Sequence, residues 1–118
     1  MLRLYAYKNC DTCRRAKKWL THHQIDFELL PIRDTPPETV ELEMMLRAYE
    51  MKLTKLFNTS GRDYRDEKIK EKLPDLERDA IFELLRSNGN LVKRPFLVGE
   101  GVALVGFKEE EWQAEFAI

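Results

Sequence analysis

No run of apolar residues in this chain approaches the roughly 18 needed to cross a membrane. The first apolar stretch is interrupted by Arg3 and Lys8, unlike the core of a secretory leader. Net charge is nearly absent: 20 Lys and Arg stand against 21 Asp and Glu, a formal −1. That balance excludes broad electrostatic capture of nucleic acid or of an anionic membrane, while leaving room for a local patch. No internal repeat, low-complexity tract or linker stands out, and 118 residues suit one domain with one core and a monomer. Histidine is scarce, limited to the adjacent His22 and His23. Cysteine is equally scarce, which excludes a disulfide-stapled scaffold. The expected compartment is the cytoplasm, where a vicinal cysteine pair is more often catalytic, sensing or metal-binding than structural.

Both cysteines fall in one stretch, Cys10-Asp11-Thr12-Cys13. It follows a strand pattern, with Leu2, Leu4 and Ala6 alternating with Arg3, Tyr5 and Tyr7. It opens a helical pattern in Arg14-Arg15-Ala16-Lys17-Lys18-Trp19-Leu20, where Ala16, Trp19 and Leu20 mark a buried face. At such a junction the first sulfur meets unpaired backbone N–H groups and the positive end of a helix dipole, which favour thiolate over thiol. Thiolate is the attacking form, so the placement implies redox chemistry. Cys13, one turn on, can resolve a mixed disulfide at Cys10; otherwise it is a small residue facing the core.

Ile25, Phe27 and Leu29 alternate into a second strand ending at Pro31, completing a βαβ unit with parallel strands. Thr35-Pro36-Pro37-Glu38 announces a helix with Thr35 as cap and Glu38 closing a capping box. Leu42, Met45, Leu46 and Tyr49 form its apolar stripe. Short helices follow around 53–57, around Ile69 to Leu73, and around Ile81 to Leu85, ending near Gly89. Two strands then flank Gly99-Glu100-Gly101 as a hairpin, and a closing helix carries Trp112 and Phe116. The order predicts an α/β chain: a mixed four-stranded sheet with a helical insertion, about residues 34–88, between strands 2 and 3.

A zinc site built from Cys10, Cys13, His22 and His23 is disfavoured, because the spacing misses the usual pattern and adjacent helical histidines diverge. The histidines suit a helix C-terminus without further chemistry. Trp19, Trp112 and Phe116 read as core residues, and the charge cluster from Arg62 to Lys72 as a solvated face.

Four segments occur in order: Tyr7 to Ala16 around the cysteines, Asn58-Thr59-Ser60-Gly61, Lys93-Arg94-Pro95-Phe96-Leu97-Val98, and Val105-Gly106-Phe107-Lys108. Over essentially its whole length the chain resembles the ArsC family, which combines glutaredoxin-coupled arsenate reductases with Spx/MgsR-type proteins on a thioredoxin-like fold. The resemblance implies Cys10 as nucleophile, Cys13 as its partner, and Arg94 before a cis Pro95 facing the thiol. Asn9, Thr12, Arg62, Pro95 and Lys108 become candidate substrate contacts. It implies no bound cofactor or metal, with electrons from glutathione and glutaredoxin, or from thioredoxin.

Reductases of this type follow the nucleophile with glycine and lack a cysteine three positions on; here Asp11 and Cys13 stand there. Of three oxyanion arginines only Arg94 is matched, the nearest cations to the others being Arg62 and Lys108. A single bidentate pair offsets only part of an oxyanion's desolvation, which disfavours arsenate. Spx-type regulators share C-x-x-C as a disulfide switch and bind the RNA polymerase α subunit; their important glycine corresponds to Lys52. A third group, acting on glutathione or protein thiols, has Asn-Thr-Arg-Gly where this chain has Asn58 to Gly61. The expectation is a thiol oxidoreductase, with a redox-sensing polymerase partner as the alternative.

Overall fold

The computed structural model describes residues 1–118. Strand β1 (Leu2–Ala6) leads into helix α1 (Asp11–His22) and strand β2 (Phe27–Pro31). Helices α2 (Thr39–Ala48), α3 (Arg62–Asp66), α4 (Ile69–Lys72) and α5 (Arg78–Ser87) follow, with 3₁₀ turns between some of them. Strands β3 (Phe96–Gly99) and β4 (Val102–Val105) and helix α6 (Glu109–Phe116) close the chain. The strands form one sheet in the order β2-β1-β3-β4. β1 runs parallel to β2, while β1–β3 and β3–β4 are antiparallel. This is the expected mixed α/β sheet with helices inserted between β2 and β3. No helix is long and apolar enough to cross a membrane.

Alternation along β1 explains why the sheet is covered twice. Leu2, Leu4 and Ala6 face α1 and join Ala16, Trp19, Leu20, Leu97, Leu104 and Trp112 in one apolar cluster. Tyr5 faces the other way, into a larger cluster built from α2, α5 and the segments around Leu56, Phe57 and Val92. Leu20 is wholly buried, and a leucine so placed contributes about 2 kcal/mol of transfer free energy. Trp19 and Trp112 meet edge to face at 5.9 Å, and the Trp112 indole N–H donates to the Gly106 carbonyl at 3.1 Å.

α1 begins at Asp11, with Cys10 as its N-cap and Cys13 in its first turn, the expected junction placement. Two local expectations need correction. β2 begins at Phe27, not Ile25. α2 is not capped by Thr35, whose amide instead donates to the Pro31 carbonyl at 2.8 Å. Glu38 occupies the cap and its N–H donates to Glu41 at 2.9 Å. The reason is Pro36 and Pro37: a residue preceding proline is pushed out of helical geometry, so no helix can start before the second one.

The buried Glu41 carboxylate fastens α2 to β1. It accepts from the Tyr5 hydroxyl at 2.6 Å and from Arg3 at 3.1 Å. Burial and the neighbouring carboxylate raise the Tyr5 phenol well above its ordinary range. The two-residue turn Glu100-Gly101 has positive φ at both positions, +49° and +82°, and sets the β3–β4 register.

Candidate redox site

Cys10 is the N-cap of α1, with extended backbone at φ −110° and ψ 116°. Its amide is held by the Tyr7 carbonyl at 3.1 Å, and its own carbonyl accepts the Arg14 amide at 3.0 Å. This fixes the sulfur over the open end of the helix, where it accepts the Cys13 backbone N–H at 3.3 Å. Sulfur here does what serine or aspartate oxygen does at an ordinary cap, and a negative sulfur gains most from it. Cys10 is half-buried and Cys13 buried, and neither is in a disulfide. Asp11, the other acid in this turn, is drawn toward Arg14 in an i, i+3 ion pair.

Burial, above all, pushes the Cys13 thiol up to about 12. The Cys10 sulfur adds to the rise, while the Tyr7 backbone N–H and the Arg94 charge oppose it. Cys13 is therefore a protonated thiol behind an accessible one.

Arg94 comes from the loop before β3 and is joined to Pro95 by a cis peptide bond. The Pro95 carbonyl accepts the Gly106 amide at 2.9 Å, tying this loop to the end of β4. The Arg94 guanidinium lies 5.3 Å from the centre of the Tyr7 ring, and its Nη1 is buried with no hydrogen-bond partner. A buried, unpaired guanidinium nitrogen is costly, and the Tyr7 ring beside it offsets part of that cost.

The weaker candidates lie at different distances from this chemistry. Asn9 donates to the Tyr7 hydroxyl at 3.2 Å. Thr12 is half-buried as the second residue of α1. Lys108 is exposed at the N-cap of α6, and its charge reaches Lys93. Arg62 is exposed at the start of α3, where its charge acts on Asp63. His22 and His23 lie at the far end of α1 from Cys10, and no three His, Cys, Asp or Glu side chains gather as metal ligands.

Three residues that sequence reasoning did not single out belong to the surroundings. Tyr7 carries two cations near its ring, Arg33 at 4.7 Å as well as Arg94, and the Asn9 bond lowers its phenol below the ordinary range. Lys93 is half-buried; burial and then repulsion by Lys55 and Lys108 lower its ammonium. Tyr7 was legible as the last position of the β1 alternation, and Lys93 as the neighbour of Arg94. Arg33 gave no local signal: it reaches Tyr7 because Pro31 stands opposite Ala6 in the parallel register.

A C-x-x-C pair at the N-terminus of the first helix of a βαβ–ββα chain, on a β2-β1-β3-β4 sheet, defines a thioredoxin-like fold. Residues 5–115 match the model of the ArsC family, and the chain belongs to that family. It is 40% identical to the uncharacterized protein YusI of Bacillus subtilis (strain 168), covering 98% of each chain. It is 32% identical to the global transcriptional regulator Spx of Enterococcus faecalis, over 94% of this chain and 83% of the regulator. The crystal structure of a possible arsenate reductase from Streptococcus mutans superposes with a TM-score of 0.85 at 39% identity, covering 96% of this chain and 98% of that one.

Proposed function

We propose that this protein is a thiol-dependent oxidoreductase in which Cys10 is the nucleophile and Cys13 the resolving thiol. The observation that carries this is the Cys10 sulfur capping α1, 3.3 Å from the Cys13 amide, with a buried, protonated Cys13 behind it.

The chemistry balances as two successive exchanges. The Cys10 thiolate attacks one sulfur of a substrate disulfide, forming a mixed disulfide and releasing the other sulfur as a thiolate that takes a proton from water. Cys13 then gives up its proton and attacks the Cys10 sulfur. A Cys10–Cys13 disulfide forms, and the second substrate thiol leaves. The disulfide is reduced back by the thioredoxin dithiol, or by two glutathione molecules with glutaredoxin, either of which returns two electrons and two protons.

Burial enforces the order of these steps. Cys13 begins protonated, and part of what holds its proton is the neighbouring Cys10 sulfur. Converting Cys10 to a mixed disulfide removes that negative charge and leaves Arg94 and the Tyr7 N–H to favour the Cys13 thiolate. Arg94, whose charge is felt at Cys13, also stabilises an anionic group of the substrate. One such arginine suits a carboxylate-bearing thiol or disulfide better than arsenate, which needs several charge-assisted donors.

The test follows NADPH consumption coupled through glutaredoxin or thioredoxin, with glutathione disulfide, an S-glutathionylated protein and arsenate as separate substrates. Turnover on a disulfide that vanishes in Cys10→Ser is expected. Cys13→Ser should accumulate a Cys10 mixed disulfide visible by mass spectrometry. The Spx relatives supply the second reading, a redox-sensing partner of RNA polymerase. Absence of turnover, together with oxidation-dependent binding to the polymerase α subunit, would replace the first reading with the second.

A further inference from the structure

The C-x-x-C helix has a second flank, the one that faces β2. Between α1 and β2 lies a groove of about 730 Å³, its lining including Cys13. Arg14 and Lys17, three residues apart on α1, line one side; Leu29 and Pro31 of β2 line the other, and Lys8 and Arg33 stand at one end. Lys8, Lys17 and Arg33 have no carboxylate within 4.0 Å, and Arg14 is engaged by Asp11. Against these four cations the lining contains a single acid, Asp34.

The apolar side of the groove is also a sheet edge. β2 is the outermost strand, paired only with β1. The Ile32 amide donates inward to the Ala6 carbonyl at 3.0 Å. Pairing alternates along a strand, so Leu30 and Glu28 also face β1, and Phe27 and Leu29 direct their N–H and C=O outward. Pro31 has no N–H, and its carbonyl already accepts the Asp34 and Thr35 amides. Two donors and two acceptors are thereby left at the edge, beside a Leu29 side chain that is 47% exposed. An uncovered edge with an apolar residue is a template for another strand, and the cations around it select the charge of that strand.

We propose that this groove binds an extended, acidic segment of a partner protein, which adds to the edge of β2 and places its carboxylates against Lys17, Arg33, Lys8 and Arg14. The edge supplies main-chain hydrogen bonds, Leu29 an apolar contact, and the cations the specificity. This occupant explains features that a nucleic acid would not use, namely the paired donors and acceptors of Phe27 and Leu29. The groove is on the side of α1 next to β2, so a partner held there leaves the Arg94 side of Cys10 open.

The test is independent of the thiol chemistry because it uses the reduced Cys10→Ser protein. A fluorescein-labelled hexapeptide alternating glutamate and valine is titrated by anisotropy. Its counterparts carry lysine for glutamate, or N-methyl groups on alternate amides. The glutamate peptide is expected to bind, to lose about tenfold or more in affinity with Lys17→Glu and Arg33→Glu combined, and to weaken with added salt. Leu29→Pro removes one outward N–H and should weaken it as well; the N-methylated peptide makes the same point on the unaltered edge. Backbone amide shifts on binding should centre on residues 27–31. Equal binding of the lysine or N-methylated peptide overturns the proposal. So do tighter binding of an oligothymidine strand at the same residues, shifts centred elsewhere, or no binding of the glutamate peptide at about 1 mM, the weakest affinity of use to such a contact.

Discussion

Replacing Cys10 by serine leaves Cys13 as the sole thiol, and its reactivity measures how far burial controls this site. Burial is the largest cause of the rise in the Cys13 thiol from 9.0 to about 12, and burial persists when the Cys10 sulfur is removed. At pH 8 a thiol at about 12 is ionised in about one molecule in ten thousand, against about one in ten for a thiol at 9.0. Since only the thiolate alkylates, Cys13 should react with iodoacetamide more slowly than an ordinary cysteine by between about tenfold and about a thousandfold, the upper figure applying where the whole rise persists, and more slowly still for being 3% exposed. The assay is a time course at pH 8, read by mass spectrometry, with the guanidinium-unfolded variant as the reference rate. In the parent protein Cys10 should be modified first and alone. Cys13 alkylating within about tenfold of the unfolded rate would refute the reasoning, because it would place the thiol in water. The same shift has a thermodynamic consequence. A group whose proton is held more tightly in the folded state contributes fully below its unfolded pKa, so this contribution is intact below pH 9 and is lost as pH rises toward 12. Cys13→Ala should lack that portion of the alkaline loss in urea-melt stability.

Two further substitutions probe the scaffold that holds the site. Gly89→Ala would put a Cβ 2.0 Å from the Ile32 carbonyl oxygen and 2.8 Å from the Arg33 Cα, all backbone atoms that cannot step aside. A loss of more than about 2 kcal/mol in denaturant melts is expected, and a melt within 0.5 kcal/mol of the parent would contradict it. Tyr5→Phe deletes the 2.6 Å bond to the buried Glu41 while keeping the ring that meets Phe96 edge to face at 5.8 Å. It should cost about 1–2 kcal/mol, because a buried carboxylate loses one of its donors; Arg3 and the Glu38 amide limit the damage.

What could be read from the sequence was whatever repeats along it. The two-residue period of Leu2, Leu4 and Ala6, and the spacing of Ala16, Trp19 and Leu20, place β1 and α1 face to face, and both sets are buried in one cluster. Cys10 could be placed at a helix start because it stands between those two periods. Asp11 and Thr12 are polar and carry no apolar periodicity, so the first turn of α1 is marked by the junction and not by the period. Thr35 and Glu38 mimic a capping box, but the same spacing recurs at Glu38 and Glu41, and the prolines decide between them. The Glu41–Tyr5 bond joins residues 36 apart, a contact created by folding alone.

Tyr7 is where the two flanks of the C-x-x-C helix meet. Its backbone holds the Cys10 amide and points an N–H at the Cys13 sulfur. Its ring lies near Arg94, which faces the thiol chemistry, and near Arg33, which stands at the end of the groove along β2. Each guanidinium lies within cation–π range of the same ring, which gives each part of its stabilisation. Affinity for an anion near Arg94 is therefore expected to shift when Arg33 is replaced, and an unchanged affinity in Arg33→Ala would show that the shared ring carries no coupling. Substitutions at Arg33 should act first on the groove it lines, and substitutions at Arg94 first on the thiols, where its charge is felt at Cys13. That asymmetry allows the two flanks to be separated by paired single variants, and it makes any change at Tyr7 itself a change to both.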